Sequence, residues 1–182
     1  MSYSAAVDQP LLRADAVLML KGLKEPDSLR VIAGLLVDSA PAVRRNACRL
    51  MAEAEDPAGY FVKPLTGALR DTDLDVRVAA ADAMGAAPVK SQAVKVLVLT
   101  LGQVVRDEPA PAPLVGAMHK ALVRLTGHRP AEEATPVALA KLWSEWWHQH
   151  REALEQADQE YLDKLSGKAV PAPAQKGAAP KP

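Results

Sequence analysis

The sequence predicts an all-α protein, a short right-handed α-α superhelix of about three to four helix pairs closed by a long Trp-rich helix. Two observations lead there. First, residues 36–51, LVDSAPAVRRNACRLM, are restated at residues 69–84, LRDTDLDVRVAAADAM. Asp38 aligns with Asp71, Val43-Arg44 with Val76-Arg77, Ala47 with Ala80 and Met51 with Met84. A supersecondary unit repeating at about this period is how a helical solenoid reads in sequence. Second, alanine is abundant while the chain has one Phe, three Trp and three Tyr. That composition favours helices in close Ala-mediated contact over sheets.

The elements follow in order. Residues 1–9 read as a flexible N-terminus. A helix is expected over Pro10–Lys21, with Gly22 at its stop. Asp27 or Ser28 caps a second helix that carries Leu29, Ile32, Leu35 and Leu36 at helical spacing and ends at Asp38. Pro41 sits at the first position of the next, where a missing N–H is harmless, and that helix reaches about Glu53. The unit then repeats. One helix runs from Pro57 or Ala58 to about Arg70, with Pro64 kinking it or marking its start. Asp73 caps another from Leu74 to about Ala86. A less regular third pair has Ser91 capping Gln92–Val105, a longer turn, and Leu114–Thr126 closed by Gly127. Thr135 then caps and Pro136 starts a long helix to about Lys164. The helical repeat region is therefore 10–165, with its capping helix from 136. Residues 166–182, rich in Ala, Pro, Lys and Gly with no acid, read as a disordered tail.

Composition narrows the function classes. With 22 basic and 22 acidic residues the net charge is zero, which argues against a general nucleic-acid binder. Cys48 is the single cysteine, so neither a disulfide framework nor a multi-cysteine metal site is expected. The N-terminus carries Asp8 and Asp15 and does not read as a signal peptide. No apolar run is long enough for a membrane span. A cytoplasmic protein is the expectation.

Candidate chemistry is thin. Asp71, Asp73 and Asp75 have the spacing of a calcium loop, but Val76 stands where that loop needs Gly; capping acids explain them better. His148 and His150 are two apart and point to different helix faces. No His-Glu metal pair or Cys-His cluster occurs. Cys48 reads as a buried small residue, although Arg44, Arg45 and Arg49 would activate an exposed thiol. Trp143, Trp146 and Trp147 share one helix face and read as core of the end cap, with Trp147 the most exposed; an exposed aromatic hot spot is the alternative. No catalytic residue, cofactor or metal is assigned.

The repeated units resemble bacterial HEAT repeats of the type found in phycobiliprotein-lyase-related proteins. The resemblance is carried by Asp71, Asp73, Val76-Arg77, Ala79-Ala80 and Ala83-Met84-Gly85, and more weakly by the first copy, which has Ala40 and Ala52 where Asp and Gly are expected. It covers about residues 28–150. It implies an armadillo-like solenoid and structural ties between units, Arg44 with Asp38 and Arg77 with Asp71. It also implies that the second helix of each pair lines a concave face. On those helices Arg45, Arg49, Asp82 and Lys120 point away from the core and are the expected anchors for a protein partner. The reading is a non-catalytic interaction scaffold, an adaptor or assembly factor. The alternative is a HEAT-like enzyme or nucleic-acid protein, a bilin-lyase relative or a DNA glycosylase. A glycosylase would need a basic concave face with aromatic groups, which these helices do not carry.

Overall fold

The computed structural model describes residues 26–54, 56, 58–107, 109–130 and 135–167, with side chains from Arg30 onward. The expected helix Pro10–Lys21, the N-terminus 1–9 and the tail beyond Gly167 lie outside the described residues. Among those described, the regular structure is entirely helical. Helix α1, Pro26–Gly34, tightens into a 3-10 turn at Leu35–Val37. Then follow α2 (Pro41–Glu53), α3 (Val62–Ala68), α4 (Leu74–Met84), α5 (Lys90–Val104), α6 (Ala112–Thr126) and α7 (Pro136–Leu165).

The helices form two rows. Helices α2, α4 and α6 pack side by side in one row; α3, α5 and α7 follow one another in the other. The core lies between them, with Val43, Val76, Ala80, Met84, Leu97, Leu101, Met118 and Leu122 fully buried. The small residues at the repeat positions permit this closeness. Ala47 and Ala80 are at 0% exposure and Ala83 at 3%, where the repeat register places helix contacts. Gly85 shows why the motif ends in glycine. Its φ of −65° is open to any residue, but a Cβ there would sit 3.0 Å from both Cα and Cβ of Ala121. Any side chain there would press α4 and α6 apart by a few tenths of an ångström.

Several ends are as expected. Pro41 opens α2, Asp73 accepts a hydrogen bond from the Val76 amide, Thr135 accepts one from Ala138, and Gly127 closes α6 with φ +73°. Two ends differ. Helix α3 is shorter than Pro57–Arg70 because Pro64 lies in its first turn, where its missing N–H is tolerated. The chain instead turns at Gly59, φ +72°, and the Asp56 carboxylate accepts from the Tyr60 and Phe61 amides at 2.7 and 2.8 Å. Helix α5 begins at Lys90, so Ser91 lies inside it rather than capping it. Its cap comes from α7: the Asp158 carboxylate accepts from the Lys90 amide at 2.9 Å and the Ser91 amide at 2.6 Å.

Helix α7 occupies the place of a fourth helix in the α3–α5 row. Trp143 is fully buried and Trp147 is 8% exposed, whereas Trp146 is only partly covered. This reverses the expected order of Trp146 and Trp147. Position 147 lies on the α5-facing side of the helix with Leu139, Ala140 and Trp143. Trp146 is turned about 100° away, where its ring stacks on His150 at 4.4 Å and on His128 at 5.8 Å. No described helix is long and apolar enough to cross a membrane.

Candidate interaction surface

The row α2–α4–α6 repeats its exposed positions as well as its buried ones. In the repeat register Arg49, Asp82 and Lys120 are equivalent, and all three are exposed. They stand one per helix across the row, and none makes an ion pair with another described residue. Arg45, expected to be free, is engaged: its guanidinium lies 3.2 Å from Asp75, with the two side chains 36% and 70% exposed. Such an exposed pair contributes little, roughly 0.2–1 kcal/mol. The Arg45 Nε is buried without a hydrogen-bond partner among the described residues.

The ties between units are real but differently wired from the expected pairs. Arg44 does not pair with the Asp38 carboxylate. Its Nε and Nη2 donate to the two carboxylate oxygens of Asp71, each at 2.7 Å, and its Nη1 donates to the Asp38 backbone carbonyl at 2.8 Å. One guanidinium thus holds the turn before α2 to the turn before α4. The hydrogen bond from Arg44 holds the Asp71 carboxyl below the usual carboxylate range, and the same bond raises Arg44. Asp71 belongs to Arg44, so it is not the partner of Arg77. No described carboxylate pairs with Arg77, and its Nε is buried without a hydrogen-bond partner among the described residues.

The third turn explains why. Asp38 accepts from the Ala40 amide at 2.8 Å and Asp71 from the Asp73 amide at 2.9 Å, so each acid folds its own turn. Asp107 is the corresponding acid, but the residue two further on is Pro109, which has no N–H to give. That turn is also longer, reaching α6 only at Ala112. Asp107 is exposed and forms no ion pair with Arg77.

Cys48 is fully buried, and burial pushes its thiol up to about 12. The neighbouring arginines therefore do not make it a nucleophile at neutral pH. Among the described residues no group of three or more His, Cys, Asp or Glu is placed to hold a metal ion. Asp71 and Asp73 are committed to Arg44 and to the α4 cap. At the end of the row His119 accepts a hydrogen bond at Nδ1 from the Trp143 indole, 3.1 Å away, which locks the end-cap helix to α6. A cleft of about 610 Å³ opens beside that contact. The sequence reading missed this cleft because three of its cations come from α6 and the segment after it, with no common spacing.

No curated protein matches the chain. Residues 33–124 match the family model described as HEAT repeats, and with paired helices stacked in two rows over that same stretch, the chain belongs to the HEAT-repeat family.

Proposed function

We propose that this chain is a non-catalytic protein-interaction scaffold, an adaptor or assembly factor of the cytoplasm, that binds its partner on the α2–α4–α6 row. HEAT repeats are generally protein-interaction scaffolds, and their repeat residues are structural, so binding resides in what the repeat leaves exposed. The observation that carries the reading is the placement of Arg49, Asp82 and Lys120. They occupy one register position on three helices of the row and point outward without an ion pair to any described residue, while the equivalent buried positions hold the fold together. Arg45 adds a weakly paired guanidinium at the start of the row. Trp143 and Arg44 act in stability.

The test compares variants that leave the core untouched. Arg49→Glu with Lys120→Glu keeps the wild-type melting temperature and loses partners recovered by affinity capture from native extract. Arg44→Ala lowers the melting temperature first. Retention of every partner by the double variant moves the binding surface elsewhere, to the acidic half of α7 with Glu152 and Glu155. A nucleic-acid reading is disfavoured by Asp75 and Asp82, which interrupt the cations along the row; a gel shift with duplex DNA at low salt tests it directly.

A further inference from the structure

The α2–α4–α6 row ends at α6. One flank of that helix is covered by α4, and a cleft of about 610 Å³ opens between α6 and residues 127–130. That volume falls within the range of small binding sites, roughly 300–1,000 Å³. Its walls are chemically one-sided. Lys120, Arg124 and Arg129 are exposed at its rim, and no carboxylate of the described residues lines it. None of the three makes an ion pair with a described residue. Arg124 is partly committed, donating to the Asp82 backbone carbonyl at 3.2 Å. Lys120 and Arg129 have no such tie to a described residue. Between the cations lies an apolar strip, with half-buried Val123 and buried Pro130.

We propose that this cleft takes an acidic peptide segment of the protein partner, its carboxylates on Lys120 and Arg129 and an apolar side chain on Val123 and Pro130. The inference rests on the reading of the row as a protein-binding face and specifies the chemistry of what binds at its end. Like charges brought together without a counter-charge repel one another, and an anionic partner relieves that repulsion. A guanidinium matches a carboxylate in two parallel hydrogen bonds, the geometry this chain already uses between Arg44 and Asp71. A peptide fits better than a nucleic acid. The cationic rim is local, and Asp82 on the next helix would face a phosphate backbone continuing along the row. A strip of apolar surface between cations also suits an acidic segment carrying a Leu or Phe.

The experiment selects a random-peptide display library on the full chain. Selected peptides are then measured by fluorescence anisotropy against wild type, Lys120→Ala/Arg129→Ala and Arg45→Ala/Arg49→Ala. Both pairs are at the surface, and circular dichroism checks that each variant is folded. The expected result is enrichment of Asp and Glu beside an apolar residue. Affinity then falls roughly tenfold on loss of Lys120 and Arg129, and falls further with salt. Selected peptides without acidic enrichment overturn the proposal. Acidic peptides that depend on Arg45 and Arg49 but not on Lys120 and Arg129 also overturn it, while leaving the row as a binding face. No selected peptide on any variant counts against both readings. A single-stranded oligonucleotide that displaces the peptides and binds more tightly replaces the peptide with nucleic acid. Two more outcomes overturn the proposal. One is acidic enrichment seen only after Glu132→Gln/Glu133→Gln, which makes the chain's own acids the occupant. The other is concentration-dependent self-association abolished by the Lys120/Arg129 variant, which makes it a second copy.

Discussion

Removing the Asp158 carboxylate tests whether the end-cap helix is fastened to the array by a charge rather than by apolar contact alone. Asp158 is 7% exposed and accepts from the first two amides of α5 at 2.9 and 2.6 Å. A helix N-terminus leaves its first N–H groups without intrahelical partners and carries a partial positive charge, so a carboxylate there is stabilising on both counts. An ordinary N-cap contributes about 1 kcal/mol and the best about 2. Hydrogen bonds to a charged group contribute roughly 1.5–3 kcal/mol each. Two of them would suggest more, but the groove beside Asp158, lined by Lys90, Leu125, Trp146 and Tyr161, lets water reach the abandoned amides. About 2 kcal/mol is therefore the expected loss for Asp158→Ala. For a domain of this size that is a drop of about 4–8 °C in melting temperature. Asp158→Asn should lose nearly as much, because its NH₂ would face an amide donor in place of one oxygen. Glu155→Gln, exposed on the same helix, should stay within about 0.5 kcal/mol of wild type. Hydrogen exchange read by mass spectrometry localises the effect: protection should fall at Lys90–Ser91 and along the last turns of α7. Both Asp158 variants melting within a degree of wild type, with unchanged exchange there, would refute the capping role.

Three further outcomes are expected. The Arg44–Asp71 tie contributes stability that is full above the ordinary carboxylate pKa of about 4 and is lost as pH falls through the depressed value of Asp71; in acid titrations followed by urea unfolding, Asp71→Asn should be destabilised at neutral pH and lose less of its stability than wild type as pH falls below about 4. Cys48 should react with a thiol reagent only as fast as the protein opens, and adding urea should release it; a native rate close to that of a small free thiol would contradict its burial. Gly85→Ala should destabilise by about 1–3 kcal/mol through overpacking against Ala121, although helix propensity alone favours alanine by up to about 1 kcal/mol, while Gly67→Ala, with open space at its Cβ, should be neutral or stabilising; thermal melts of the pair decide which term wins.

The class, the repeat period and most helix ends are legible in the residues alone, because these depend on neighbours within a turn or two. Pro41, Asp73, Gly127 and Thr135 each act on amides or dihedrals close by, so their meaning is legible locally. The burial of Ala80, Ala83 and Cys48 was legible too, since a helical period states which face is covered. The pairings across the array depend instead on packing. Asp71 is taken by Arg44 from the preceding unit, 27 residues away, and the repeat motif alone cannot tell that arrangement from a tie to Arg77. Asp158 looks like one more acid in a polar stretch until α7 lies antiparallel along α5 and sets it over an amide pair 67 and 68 residues back. Trp146 and Trp147 are neighbours in sequence, and a rotation of about 100° between them decides which is covered. The basic cleft likewise exists only because the chain after Gly127 brings Arg129 and Pro130 to the same cleft as Lys120. Charge and contact at such places depend on where distant backbone lies, and that is fixed by packing rather than by local propensity.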